Sequence, residues 1–257
     1  MKRQLDALIT YLLNENPAYG GTAIPASFED AFRLYRSLVN LREPQPIAKS
    51  YLEAEDAFLQ RYHHQRGITM LADLSPVEKN IYLWQGDITT LASDAIVNAA
   101  NAQLLGCFSP CHACIDNAIH TFSGVRLRLK CAEIMRAQGA PEATGKAKIT
   151  PAYNLPSRYV LHTVGPIVNG ALGARHKALL ASCYEQCLEL AEKNHLGSIA
   201  FCSISTGVFG FPKKEAAAIA VETVKAYQQK NNSEIKVIFN VFDNFTKSLY
   251  EGLLATN

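Results

Sequence analysis

Three side chains that could bind a metal lie close together near the middle of the chain: Cys107, His112 and Cys114. Their C-x4-H-x-C spacing places two thiols and one imidazole on a short segment, and zinc prefers these ligands. Three protein ligands leave one coordination position open, which is typical of catalytic zinc. The alternative is a set of buried free thiols, and Cys111 could also replace one of the ligands.

Asp116 follows the last of these ligands by two residues. A carboxylate at that position could orient or deprotonate a water molecule or a sugar hydroxyl. His120 lies one helical turn beyond Asn117 and fits a packed core histidine. The cysteines, the histidine and the carboxylate together predict a zinc site on a loop, with an acidic group beside it.

A glycine-rich loop, SISTGVFGFP, follows an apolar strand and precedes a helix predicted to start at Pro212. Its glycines allow the backbone to turn N–H groups towards an anion, and the helix dipole adds partial positive charge. This pattern predicts a cradle for a diphosphate. The alternative is an ordinary turn between a strand and a helix.

Polar residues also follow two other predicted strands. Asp87 comes directly after one strand and could accept a hydrogen bond from an exocyclic amine such as that of adenine. Asn98 and Asn101 follow a second strand, and their amides suit sugar hydroxyls. Each of the three is also a common turn or cap residue, so both interpretations stay open.

Strands and helices alternate from about residue 67 to the end of the chain. The strand segments are NIYLWQGDIT, DAIVNAAN, SRYVLHTVGP, SIAFCSIST and EIKVIFNVF, and the helices are residues 115–135, ARHKALLASCYEQCLELAEKNH and KKEAAAIAVETVKAYQQK. This alternation predicts an α/β layered fold with a mostly parallel sheet. Ligands of such sheets bind at the carboxyl ends of the strands, where the polar loops lie.

Residues 1–66 differ from the rest of the chain, because they show three helical segments and no strand pattern. Ser27 is predicted to cap the second helix, with Asp30 three residues later. We therefore expect a helical N-terminal extension over residues 1–66 and a larger unit over residues 67–257. The extension is too small to bury much surface alone, so we expect it to dock on the larger unit.

The composition excludes several classes of protein. With 48% hydrophobic and 19% charged residues the chain is not disordered, and it has no apolar run long enough for a membrane span. The net charge of +2 is too balanced for a protein that binds duplex DNA or an anionic membrane. Seven cysteines without an export signal predict a reducing compartment, and hence the cytoplasm.

Taken together, QGDIT, IVNAAN, CIDNAIH, TGKAKITPAYNLPSRYVLHTVGP and SISTGVFGFP resemble the macrodomain, an ADP-ribose-binding module, in the same order over about residues 70–257. Hydrolytic macrodomains carry a glycine-rich run before the aspartate. GCFSPCHACIDN stands there instead and resembles the zinc-dependent subfamily, which also has a helical N-terminal extension. The resemblance implies a three-layer α/β/α macrodomain with a mixed, mostly parallel sheet.

The resemblance also implies roles for individual residues. Asp87 with Ile88 would hold adenine, and Asn98 and Asn101 would face the distal ribose. Asp116 would be the catalytic aspartate. The residues expected to wrap the diphosphate are Ser205, Thr206, Gly207, Val208, Phe209 and Gly210, with Phe209 covering the distal side. The expected zinc ligands are Cys107, His112 and Cys114, with Cys111 at a variable position.

The implied activity is zinc-dependent removal of mono-ADP-ribose from proteins, favouring O-links to Asp or Glu. The implied partners are ADP-ribose and a modified protein, such as a lipoyl-carrier protein modified by a sirtuin-type transferase, and neither nucleic acid nor a membrane. Attack at the anomeric carbon and attack at an ester carbonyl both remain open. The alternative is a reader that binds ADP-ribose and holds a structural zinc.

Overall fold

A seven-stranded sheet forms the centre of the larger unit in the computed structural model, which describes residues 1–255. The strands are β2 (Pro76–Glu78), β3 (Ile81–Gln85), β5 (Ala95–Ala100), β6 (Ala147–Pro151), β7 (Tyr159–Val164), β8 (Ser198–Phe201) and β9 (Lys236–Val241). Their order in the sheet is β2-β3-β9-β8-β5-β7-β6. A separate short pair consists of β1 (Thr69–Met70) and β4 (Leu91–Ala92).

The five inner strands run parallel, and the two edge strands β2 and β6 run antiparallel to their neighbours. The inner strands are rich in apolar residues, and β8 is buried along its whole length. Strands with this pattern need helices on both faces of the sheet. The resulting three-layer α/β/α arrangement confirms the predicted macrodomain-like fold class with its mixed, mostly parallel sheet.

Eight α-helices are present in residues 1–255. They are α1 (Lys2–Glu15), α2 (Phe28–Leu41), α3 (Lys49–Arg66), α4 (Ile115–Ser123), α5 (Val125–Gln138), α6 (Ala174–Lys193), α7 (Lys213–Asn231) and α8 (Asn244–Leu254). The predicted strands did not include the two edge strands β2 and β6 or the short pair β1 and β4, and α8 was not predicted either. No helix within this described part of the chain is long and apolar enough to cross a bilayer.

The single helix predicted over residues 115–135 is wrong, because Gly124 separates α4 from α5. Gly124 has a φ of +89°, and a Cβ there would lie 2.6 Å from Glu55 Oε2. The buried Glu55 carboxylate instead accepts a hydrogen bond from Val125 N at 2.8 Å. The helix is therefore interrupted by a tertiary contact with α3.

The helices α1, α2 and α3 share their own cluster of buried apolar side chains, including Leu5, Ile9, Tyr35 and Phe58. Ser27 Oγ accepts a hydrogen bond from Asp30 N at 3.1 Å, so the predicted cap of α2 is confirmed. Helices α2 and α3 contact the larger unit through α4 and α5, respectively. The boundary between units 1–66 and 67–257 is a proposal that the separate clusters support.

Candidate functional site

The polar loops predicted from the sequence meet at one edge of the sheet. They follow β3, β5 and β8. These strands all run parallel, because β3 and β8 both pair in parallel with β9, and β5 pairs in parallel with β8. The carboxyl ends of parallel strands lie at the same sheet edge, which is where ligands bind in α/β folds. This topology explains how residues more than a hundred positions apart can form one site.

The cysteines and histidine of the predicted metal site do converge. The potential ligand atoms of Cys107, His112 and Cys114 all lie within 4.8 Å of one another. His112 Nδ1 is buried and has no hydrogen-bond partner among residues 1–255, which fits a nitrogen that binds a metal. The two thiols and the imidazole suit zinc.

Cys111 lies apart from this cluster. Its Sγ is 3.2 Å from Ser37 Oγ and 3.4 Å from the carbonyl oxygen of Arg33, both on α2. The structure therefore favours His112 over Cys111 as the partner of Cys107 and Cys114. Burial, together with the neighbouring Cys107 and Asp116, raises the pKa of the Cys114 thiol to about 11, so a bound metal must displace a proton from it.

Local backbone features bring the loop to the start of α4. Gly106 has a φ of +81°, and a Cβ there would lie 2.7 Å from the ring of His120, so only glycine allows this close approach. Cys114 is the N-cap of α4, and its Sγ accepts a hydrogen bond from Asn117 N at 3.4 Å. The cap places Asp116 in the first helical turn, directly after the cluster.

The Asp116 carboxyl is 5% exposed and is surrounded by polar side chains. Asn98 Nδ2 donates to its Oδ1 at 2.8 Å, and Asn101 Nδ2 lies 3.5 Å from its Oδ2. Burial raises the pKa of Asp116 to about 6, while the hydrogen bond from Asn98 and the charge of Arg128 oppose the shift. A carboxyl with a pKa near neutrality can both accept and return a proton.

The prediction that Asn98 follows its strand is wrong, because Asn98 lies within β5. It is fully buried, and its side chain contacts Asp116. Its predicted contact with a ribose stays a prediction. Asn101 is partly buried and also donates to the Gly106 carbonyl at 3.1 Å, so its amide connects the carboxyl to the loop. Both asparagines therefore position Asp116 in the structure.

A second group of potential ligands, His120, Cys131 and His162, lies buried behind Asp116. His162 Nδ1 is 3.2 Å from Asn98 Nδ2, and its Nε2 is 3.0 Å from Thr150 Oγ1. Burial lowers the pKa of His162 to about 3, so the ring is neutral. The contact of His162 with Asn98 was not predicted from the sequence, where the only signal was a histidine in the mostly apolar strand YVLHTV.

The glycine-rich loop presents backbone donors at the start of α7. The amides of Gly207, Val208 and Phe209 make no hydrogen bond to any residue in the described range 1–255. The loop is held by bonds from Gly210 N to the Gly207 carbonyl at 3.0 Å and from Val168 N to the Phe209 carbonyl at 2.8 Å. Thus the predicted cradle has free N–H groups before a helix N-terminus, as anion binding requires.

The remaining residues of this loop have different environments. Ser205 has a φ of +64°, and its buried Oγ has no hydrogen-bond partner among residues 1–255. Thr206 Oγ1 donates to the Ser203 carbonyl at 2.9 Å, so its side chain stabilises the turn. Val208 is 79% exposed, so its side chain is largely open to solvent.

Asp87 acts as a cap and remains open to solvent. It accepts hydrogen bonds from Thr89 N at 2.9 Å and Thr89 Oγ1 at 2.7 Å, and it pairs with Arg66 of α3. Its side chain is still 40% exposed, so the cap and ligand interpretations are compatible. Ile88 is 1% exposed, so its side chain does not face the site and only its main chain could reach a ligand.

Comparison with known proteins agrees with this geometry. The model of the Macro domain family matches residues 97–220. A protein-ADP-ribose hydrolase from Treponema medium is 56% identical over 252 residues, covering 96% of this chain and 97% of the relative. The chain belongs to the macrodomain family. A protein-ADP-ribose hydrolase from Staphylococcus aureus is 49% identical over 255 residues, with 98% and 96% coverage.

Solved macrodomains share the fold. The Oceanobacillus iheyensis macrodomain with ADP is 38% identical, with a TM-score of 0.63, and the match covers 71% of this chain and 94% of the solved chain. The Trypanosoma brucei macrodomain in complex with ADP-ribose is 30% identical, with a TM-score of 0.66 and coverages of 84% and 94%. These two macrodomains are solved with ADP and with ADP-ribose, respectively.

Proposed function

We propose that this macrodomain is a zinc-dependent hydrolase that removes mono-ADP-ribose from modified proteins. The observation that carries the proposal is the buried Asp116 carboxyl, which directly follows the cluster of Cys107, His112 and Cys114. The near full-length similarity to proteins named protein-ADP-ribose hydrolase supports the same reaction.

The substrate would lie along the carboxyl edge of the sheet. The free amides of the glycine-rich loop would bind the diphosphate, and the exposed part of Asp87 would bind the adenine amine. Backbone amides carry no formal charge, so this mode of binding is consistent with a net charge of only +2. The distal ribose and the link to the protein would then reach Asn101, Asp116 and the cysteine–histidine cluster.

The residues of the site divide the chemistry between them. Zinc held by Cys107, His112 and Cys114 would supply Lewis-acid polarisation of an oxygen in the link or the sugar. Asp116 would accept a proton as water adds and return it to the leaving oxygen, because hydrolysis gives a hydroxyl to one fragment and a proton to the other. Asn98 and Asn101 would orient its two carboxyl oxygens.

We further propose O-linked ADP-ribose on Asp or Glu as the substrate, because an ester link is already activated towards hydrolysis. A lipoyl-carrier protein modified by a sirtuin-type transferase is the proposed target, and the cytoplasm is the proposed location. The seven free cysteines support a reducing compartment.

The test compares two modified proteins, one carrying Asp-linked and the other Ser-linked ADP-ribose, with and without a zinc chelator. We expect release from the Asp-linked protein, at least about tenfold less from the Ser-linked one, and loss of release after chelation. Added Zn²⁺ should restore the rate, and added Mg²⁺ should not. Equal rates before and after chelation, with metal analysis confirming its removal, would contradict the zinc step.

A second candidate is an ADP-ribose reader with a structural zinc, because the segment GCFSPCHACIDN lacks the glycine-rich run of hydrolytic macrodomains. In that case the protein would bind ADP-ribose but release none from either substrate. The same experiment therefore separates the two functions.

Gly207→Val should weaken ligand binding without affecting the fold. A Cβ at Gly207 would meet no atom within 4 Å, so valine fits the free protein but would project beside the amides that hold the diphosphate. We expect the affinity for ADP-ribose, measured by calorimetry, to fall at least about tenfold, with an unchanged unfolding temperature.

Gly252→Val is the control, because a Cβ there also meets no atom within 4 Å and the residue lies on α8. It should bind ADP-ribose normally. Wild-type affinity in Gly207→Val would mean that the loop does not hold the diphosphate.

A further inference from the structure

Helix α2 of the N-terminal extension directly contacts the segment that carries the proposed zinc ligands. Arg36 Nη2 donates to the His112 carbonyl oxygen at 2.9 Å. Its Nε and Nη2 also donate to Asn117 Oδ1, at 2.9 and 2.7 Å. One guanidinium therefore connects α2 both to the backbone of a proposed ligand and to the first turn of α4.

Asn117 extends this contact into the loop. It is fully buried, and its Nδ2 donates to the Ser109 carbonyl at 2.9 Å while its Oδ1 receives the two bonds from Arg36. The amide group thus holds the middle of the loop from one side. Because Asn117 Oδ1 accepts both of its hydrogen bonds from the Arg36 guanidinium, loss of Arg36 would leave this buried oxygen without a donor.

Asn40, four residues after Arg36 on the same helix, makes a second connection. Its Oδ1 accepts a hydrogen bond from Cys111 N at 2.9 Å, and its Nδ2 donates to Thr121 Oγ1 at 3.0 Å. Cys111 has a φ of +53°, an unfavourable region for a residue with a side chain. The Asn40 contact helps to stabilise that conformation between the proposed ligands.

The start of the same loop is held by Arg128 of α5. Its Nε donates to the Leu105 carbonyl at 2.6 Å, and its guanidinium lies 4.3 Å from the centre of the Phe108 ring. Its Nη1 donates at 2.9 Å to the carbonyls of both Val39 and Asn40, near the end of α2. The loop is therefore fixed at both ends relative to α2.

We propose that α2 is a positioning element for the zinc ligands, and that Arg36 is its main positioning residue. The segment from Cys107 to Cys114 contains no helix or strand, so its ligands would otherwise have to be ordered when the metal binds. Outer partners that orient ligands commonly change metal affinity by about 10- to 100-fold. The inference rests on the proposed zinc site and gives the N-terminal extension a role within it.

The test uses Arg36→Ala with Arg33→Ala as its matched control. Arg33 has the same charge and lies one turn earlier on α2, but its side chain is exposed. Zinc affinity, measured by competition with a chromogenic chelator, should fall about 10- to 100-fold in Arg36→Ala and stay at the wild-type value in Arg33→Ala. The affinity for ADP-ribose should stay the same in both variants.

Arg36→Lys provides a second variant that keeps the charge and most of the side chain. A lysine can donate to one of the two acceptors but lacks the planar fork that reaches both, so we expect an intermediate zinc affinity. A zinc affinity in Arg36→Ala equal to that of Arg33→Ala would overturn the positioning role.

Hydrogen exchange on the metal-free proteins separates this inference from the proposed function. Amides of residues 107–114 should exchange faster in Arg36→Ala than in Arg33→Ala, because the contacts of Arg36 do not require zinc. Equal exchange in the two variants would overturn the inference, even if zinc binds. A wild-type protein that takes up no zinc would instead overturn the proposed function, whatever the exchange rates.

Discussion

Cys107→Ala is expected to remove zinc from the protein and to stop release of ADP-ribose. The wild-type chain should hold about one zinc, because Cys107, His112 and Cys114 converge within 4.8 Å. With one thiolate gone, two ligands cannot hold the metal tightly. We expect a zinc content near zero and a rate of release at least about 100-fold lower, measured by metal analysis and by a release assay on Asp-linked ADP-ribose.

His112→Ala and Cys114→Ala should give the same result, although Cys114→Ala also removes the N-cap of α4. Cys111→Ala is the control within the same loop, because the Cys111 sulfur contacts α2 and does not belong to the proposed ligand set. That variant should keep both zinc and activity. If Cys107→Ala retains the wild-type rate after losing its metal, zinc has no part in the chemistry.

The second large effect is expected for Asp116→Ala, which should slow hydrolysis by a factor of about 10² to 10⁴. In the proposed mechanism the buried carboxyl moves the proton, and alanine cannot replace it. Binding of ADP-ribose should remain measurable by calorimetry, since the glycine-rich loop and Asp87 are unchanged. A rate equal to that of the wild type would show that another group performs the proton transfer.

Asp94→Asn is a suitable comparison for Asp116. Asp94 is a hydrogen-bonded carboxylate just before β5, at the opposite end of the strand from the site, where it pairs with Arg158. It tests for a general effect of losing a carboxylate. We expect this variant to keep the wild-type rate per folded molecule, with any loss confined to the unfolding temperature.

The convergence of Cys107, His112 and Cys114 could be predicted from the sequence because the three residues fall within eight positions. A short segment brings such side chains together whatever the rest of the fold does, and Asp116 lies only two residues further on. The alternation of strands and helices likewise predicted the layered fold. Both signals are local or periodic, and they do not depend on which distant residues meet.

Contacts between distant segments could not be predicted in this way. Asn98 and His162 are separated by 64 positions, and Arg36 and Asn117 by 81, and only the tertiary fold brings each pair together. The break at Gly124 has the same origin, since it is required by Glu55 of α3. Glycine within a helical pattern does not by itself indicate an interruption.

The contacts between α2 and the loop from Cys107 to Cys114 also affect how this loop can change during evolution. Arg36, Asn40 and Asn117 recognise carbonyl and amide groups of the loop's main chain, which every amino acid offers, except for the missing N–H of proline. Side chains at Pro110 and Ala113 take no part in this recognition. Substitutions at these two positions can therefore accumulate without loss of these contacts, so that related proteins keep the conformation of the loop while its amino-acid sequence diverges.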